Sequence, residues 1–237
     1  MIGHAAPRAL VDAASAPYRR AGGWPYLRAR GKLSADPAFA AILRLGLLKQ
    51  RQHILDLGCG QGLLAAWLLA AHSCYARGDW PASWPAPPAP ISIRGIELDP
   101  KEIMRARFAL ADRAEFVNGD IRDTAFGSAD ALVILDVLHY MDYSAHGPLL
   151  KRARAALPSG GLLLLRVSDA TAGFGFRIGR WVDRAVLLAR GHGFAQTYCR
   201  ALADWQRLLE ECHFHTEAIP MSAGTPFANV LLIARPI

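Results

Sequence analysis

Residues 54–62 read Ile-Leu-Asp-Leu-Gly-Cys-Gly-Gln-Gly, a short apolar run broken by three glycines at every second place. Glycine lets the chain turn sharply and lets a ligand lie against bare backbone. A helix that starts there offers unpaired N–H groups. Many nucleotide binders share a Gly-rich turn, so the turn alone says little. Two details sharpen it. The spacing is G-x-G-x-G, not the G-x-G-x-x-G of dinucleotide folds, and an acid, Asp56, precedes it. A carboxylate there repels a pyrophosphate and suits an ammonium group. That chemistry disfavours NAD and ATP and favours a cationic ligand.

Three further carboxylates follow, each where a strand should end: Glu97 in Gly95-Ile-Glu-Leu-Asp-Pro100, Asp120 in Asn118-Gly-Asp-Ile121, and Asp136 in Leu135-Asp-Val-Leu-His-Tyr140. Glu97 stands 35 residues past Gly62, where a carboxylate accepts from ribose hydroxyls. The usual offset is roughly 20 residues. A Pro/Trp-rich stretch at 77–90 accounts for the excess. Asp120 is placed for an adenine amino group. Ligands of open α/β sheets bind at the carboxyl ends of strands.

The elements that carry these residues alternate. Strands are expected at His53–Leu57, Ile91–Glu97, Ala114–Val117, Ala129–Asp136 and Leu162–Val167. Helices are expected at Leu63–Ala71, from Pro100 to about Ala111, and at Gly147–Leu157. Strands apolar throughout, alternating with helices, imply a parallel sheet covered on both faces. Residues 1–50 read as a helical N-terminal segment, with an Asp36-Pro37 helix start running to Leu47 or Leu48. Residues 172–191 carry apolar positions at helical spacing, with Arg177, Arg180 and Arg184 beside them, an amphipathic basic helix. A helix at about Leu202–Glu211 precedes His213–Pro220 and Phe227–Ala234, read as antiparallel neighbours.

These residues resemble the class I S-adenosylmethionine (SAM)-dependent methyltransferases. ILDLGCGQG is similar to their first motif, GIELDP to their second and NGD to their adenine-contacting turn, while LDVLHYM and LPSGGLLLLRV resemble their fourth and fifth strands. The likeness covers roughly Gln52–Val167. It implies a Rossmann-like seven-stranded, mostly parallel α/β sheet of order 3-2-1-4-5-7-6 with an antiparallel last strand. Residues 51–237 would be the SAM-binding domain and 1–50 a helical lid. Asp56, Gly58, Cys59, Gly60 and Gly62 would hold the amino-acid end of SAM, and Glu97 the ribose. Leu98, Asp120 and Ile121 would meet the adenine, and Asp136 would lie under the sulfonium. The product would be S-adenosylhomocysteine.

Methyl transfer is an in-line displacement that rests on positioning and water exclusion. His139 is the candidate base where the acceptor must lose a proton; the alternative is a structural histidine. Tyr140 and Tyr143 would pack on an acceptor or simply in the core. In the family's layout the N-terminal segment and the basic helix flank the methyl. Trp24, Tyr26, Phe174, Phe176 and Trp181 would line an aromatic lid, with Arg28, Arg30 or Lys32 facing a carboxylate of SAM or acceptor, or only solvent.

The acceptor is weighed by absences. No Asn/Asp-Pro-Pro-aromatic turn, Pro-Cys nucleophile or lysine marks the fourth strand, and no appended RNA-binding motif is visible. A small molecule, phenolic or acyl-type, is expected, with no nucleic acid. The net charge is +7. With the basic helix, it extends the expectation to an acyl-carrier-bound acceptor or an anionic surface. Alternatives are an RNA methyltransferase, a non-catalytic SAM-fold scaffold and, on weaker grounds, a Rossmann oxidoreductase. The four cysteines form no CxxC pair, so no metal site is expected. No apolar run reaches the roughly 18 residues of a membrane span, and no secretory signal is read, so the cytoplasm is expected. At 237 residues and 52% hydrophobic, the chain is long enough to bury a full core.

Overall fold

The computed structural model describes residues 6–90, 92–171, 197–222, 225 and 227–237. The expected cap helix at 172–191, with Phe174, Phe176 and Trp181, lies outside the described residues. Seven strands form one sheet in the order β3-β2-β1-β4-β5-β7-β6. The strands are β1 His53–Leu57, β2 Ser92–Glu97, β3 Glu115–Asn118, β4 Ala131–Leu135, β5 Leu162–Ser168, β6 Phe214–Pro220 and β7 Asn229–Pro236. The order implied by the family resemblance is the one observed. The chain divides into two compact units, residues 1–125 with 129–131, and residues 126–128 with 132–237.

In the first unit, β1, β2 and β3 pair in parallel, with Asp56 level with Gly95 and Gly95 level with Phe116. Its helices are α1 Arg8–Ser15, α2 Gly23–Ala35, α3 Pro37–Arg44, α4 Leu63–Ala76 and α5 Pro100–Leu110. Asp36 caps α3 by accepting from the Ala38 N–H at 3.0 Å. The helix stops at Arg44 rather than Leu47 because Gly46 takes φ 63°.

α4 buries nine residues, from Leu63 to Cys74, on all sides. A helix apolar all round needs cover on every face. The N-terminal helices supply it, since α1 and α2 both pack on α4. Trp67, fully buried, donates its indole N–H to the Phe39 carbonyl at 2.9 Å and meets the Phe39 ring edge-on. Residues 6–44 thus complete this unit's core. The 77–90 stretch folds on itself, with Trp80 edge-on to Trp84 and donating to the Pro85 carbonyl at 3.0 Å.

In the second unit, β7 runs antiparallel to both β5 and β6, pairing Leu164 with Ile233 and Ala218 with Leu232. Among the described residues its helices are α6 Tyr143–Ala156 and α7 Leu202–Glu211. α6 starts a turn before the expected Gly147. Asp142 caps it through the Ala145 N–H at 3.0 Å, and Pro148 is carried inside the helix. No described helix is long and apolar enough to cross a membrane.

Truncating Trp67 to alanine leaves a cavity between α4 and the N-terminal helices. The expected cost is about 3–5 kcal/mol, read by denaturant unfolding. A loss under about 1 kcal/mol would contradict the N-terminal segment's place in the core.

Candidate functional site

The glycine turn leaves β1 and enters α4. Gly58, Gly60 and Gly62 all take positive φ, at 75°, 55° and 78°. Gly62 is doubly constrained, because a Cβ there would sit 2.8 Å from the Phe116 ring. The turn is pinned to β2, where Gly58 N–H and Cys59 N–H both donate to the Ile96 carbonyl, at 2.8 and 3.2 Å. Cys59 packs on Gly95, where any Cβ would meet its sulfur at 2.6 Å. This contact explains the glycine before Ile96-Glu97.

Glu97 bridges the turn. One carboxylate oxygen accepts from Gly60 N–H at 2.9 Å, the other from Asp99 N–H at 2.9 Å. Asp56 is 5% exposed. Burial, helped by the charge of Glu97, pushes its carboxyl up to about 7. Burial also raises the Cys59 thiol, which makes it an inert packing group. Asn118 donates its amide to the Glu97 and Leu98 carbonyls at 3.0 and 2.9 Å and fixes that corner. Leu98 is 61% exposed and Ile121 is buried. Asp120 is held by Arg122, whose guanidinium engages both carboxylate oxygens.

The N-terminal segment is bonded to the turn. Tyr18, fully buried, donates to the Gln61 carbonyl at 2.8 Å, and the Gln61 amide donates to the Pro25 carbonyl at 3.0 Å. Trp24 is exposed and Tyr26 half-buried, its hydroxyl accepting from Arg19 at 3.2 Å. The cations read as carboxylate partners have partners within the chain. Arg28 reaches both oxygens of Glu102 at 2.6 Å, Arg30 pairs with Asp12, and Lys32 with Asp36 at 3.6 Å. Glu102 is 3% exposed and also takes Arg105 at 2.8 Å. Tyr18 and Glu102 lie outside the motifs, and Gln61, within the glycine turn, was given no role. The Tyr18–Gln61, Gln61–Pro25 and Arg28–Glu102 bonds each span more than 35 residues of sequence.

In the second unit, Asp136 follows β4 at φ 60°. Arg166, 2% exposed on β5, grips it with two donors, Nε at 2.7 Å among them. An arginine inside a buried strand needs such a partner. Among the apolar residues of β5 it gave no sequence signal beyond being charged. His139 is buried, its ring 4.0 Å from that of Tyr140. Its carbonyl accepts from Tyr198 N–H at 2.8 Å. His146 is fully buried and ties this loop down. Its Nε2 meets the Leu138 and Met141 carbonyls at 2.8 and 3.0 Å, and its ring stacks on Trp205. Arg200 Nε lies 3.2 Å from its Nδ1. Burial first, and Arg200 next, hold its pKa below the ordinary value, so it stays neutral and accepts from Arg200.

Asp56 gives a pH signature. Its carboxyl binds a proton more tightly folded than unfolded, so its contribution to stability is present below about pH 4 and lost as pH rises through about 7. The ligand-free Asp56→Asn protein should therefore gain on the wild type by about 2–4 kcal/mol between pH 5 and pH 8. Thermal melts across that range read the difference, and a gap that does not change with pH would contradict it.

A family model described as a methyltransferase domain matches residues 26–217. Two curated relatives are carboxy-S-adenosyl-L-methionine synthases. That of Chromohalobacter salexigens is 29% identical over 140 residues, 54% of this chain and 47% of the relative. That of Psychrobacter arcticus is 26% identical over 149 residues, 60% and 51% of the two chains. The chain thus spans about half the length of the curated relatives it matches. Solved structures of similar fold include the mitomycin 7-O-methyltransferase, with TM-score 0.63, 21% identity, and 89% and 57% of the two chains covered. The magnesium protoporphyrin IX methyltransferase of Synechocystis gives TM-score 0.59 at 16% identity over 94% of each chain. Human N-acetylserotonin methyltransferase gives 0.59 at 18%, covering 95% and 59%. The turn, the acids at the strand ends, the sheet order and the matched span agree: the chain belongs to the methyltransferase-domain family, the class I SAM-dependent methyltransferases.

Proposed function

We propose that this chain binds SAM and transfers its methyl group to a small-molecule acceptor, phenolic or acyl-type. The observation that carries the reading is the buried Asp56, whose carboxyl is raised by burial and by Glu97. A carboxylate buried under a glycine cradle is stabilised in its charged form by a bound cation. The amino-acid end of SAM supplies an ammonium. Asp56, Gly58, Cys59, Gly60 and Gly62 hold that end. Glu97, already oriented by two N–H groups, takes the ribose hydroxyls. Leu98 and Ile121 pack on the adenine, and Asp120 accepts from its amino group.

Bound SAM supplies an electrophilic methyl on a sulfonium. The chain's own residues position the reactants and exclude water. Asp136, steadied by Arg166, faces the sulfonium's positive charge. His139 takes the proton when a hydroxyl acceptor attacks, and Tyr140 beside it packs on the acceptor. Trp24 and Tyr26 belong to the acceptor lid. Trp181 is assigned there by sequence position alone. The small-molecule class is supported by fold neighbours, one solved with apigenin and another with 2-hydroxy-5-methyl naphthoic acid. None of the cysteines is in a disulfide, which suits the reducing cytoplasm. A second reading, synthesis of carboxy-SAM, is favoured by the names of the curated relatives.

Calorimetric titration with SAM and S-adenosylhomocysteine tests the cofactor site. Micromolar binding is expected, weakened at least about 100-fold in Asp56→Ala and Glu97→Ala, as loss of a charged hydrogen-bonding partner in a buried site implies. Folded wild type that binds neither ligand would overturn the reading. Mass analysis of turnover separates the two chemistries, since methyl transfer yields S-adenosylhomocysteine and the second reading an adenosyl species heavier than SAM by a carboxyl group.

A further inference from the structure

α5 has two unlike faces. Ile103, Ala106, Ala109 and Leu110 are buried in the first unit. The opposite face holds Lys101, Met104, Arg107 and Phe108, all exposed. Met104 and Phe108 stand one turn apart at 63% and 67% exposure. The helix's one acid, Glu102, is turned inward and neutralised by Arg28 and Arg105. The outer face therefore shows water two large apolar side chains and cations, with no carboxylate. α2, tied to α5 by the Arg28–Glu102 pair, adds Leu27 at 62% exposure and contains no acid.

Single exposed apolar residues are ordinary on any surface. A pair one turn apart, flanked by cations, is the pattern of a helix lying in a lipid headgroup layer. There the apolar tips reach the acyl boundary while lysine and arginine meet phosphates. A second copy of the chain seated on the same patch would bring like charges together. We infer that the outer face of α5 docks on an anionic lipid surface. The chain's net charge of +7 favours the same partner.

Sedimentation of the whole chain with vesicles tests this without reference to SAM or turnover. The vesicles are pure phosphatidylcholine, or phosphatidylcholine mixed with phosphatidylglycerol. Binding is expected on the anionic vesicles only, and high salt should weaken it. The double variants Met104→Ser/Phe108→Ser and Lys101→Glu/Arg107→Glu should each cut it at least about tenfold. Lys101→Gln/Arg107→Gln, which introduces no acid, should give a smaller loss. Met104 and Phe108 are exposed, so the melting temperature of their variant should hold; Arg107 also donates to the Phe116 carbonyl at 2.6 Å, so the charge variants are compared at equal folded fraction. Equal retention on both vesicle types, no retention on either, or variants that bind as the wild type does would overturn the proposal. A wild-type dimer in light scattering that the same variants dissolve would give the face to a second copy instead.

Discussion

Asp56 and Glu97 bring two carboxylates under one glycine turn, and the first of them has almost no water. Such a pair is costly without a cation, because burial and like charge both oppose ionisation. The surrounding unit holds it in place all the same. Gly60 donates to Glu97, Ile96 anchors the turn, and the missing side chain at Gly95 lets Cys59 close the gap between turn and strand. Tyr18 and Gln61 bond the N-terminal helices to the same turn. Those helices in turn cover α4, whose first turns are buried all round. The site and the core of this unit are thus built from the same contacts.

The second unit solves a related problem. Arg166 is buried in a strand of leucines, and its charge is met by Asp136, which accepts from it. Buried ion pairs contribute little net stability, so this one is better understood as fixing a carboxylate at a strand end. His146, neutral and bonded on both ring nitrogens, holds the loop that carries His139 and meets Arg200 near the start of α7. The carboxylate is held by an arginine inside the fifth-strand stretch to which the sequence assigned no role, and the loop by a histidine that lies outside the family motifs.

Much of this was legible in the sequence. The glycine turn and Glu97 as the acid ending β2 follow from local pattern, since strand period and turn chemistry are written within a few residues, whereas the sheet order came from the family resemblance those residues carry. Boundaries were less so. α6 begins at the Asp142 cap, a turn before Gly147, with Pro148 carried inside it, and α3 ends early near a glycine with positive φ. Partners were the least legible. Arg28, Arg30 and Lys32 read as facing a carboxylate of the ligand or only solvent; three-dimensional packing places Glu102 and Asp12 beside the arginines, while Lys32 and Asp36 already stand at i,i+4 spacing. Arg166 is invisible for the same reason, since its role depends on a residue 30 positions away.

If Asp56 waits half-protonated near neutral pH, the cation it binds must ionise it. Titrating SAM at pH 7 in buffers of different ionisation enthalpy measures this directly. Release of about half a proton per site is predicted from wild type, and none from Asp56→Asn. Binding heats that do not depend on the buffer would contradict it, and would leave the glycine turn without an electrostatic reason to select a cationic ligand.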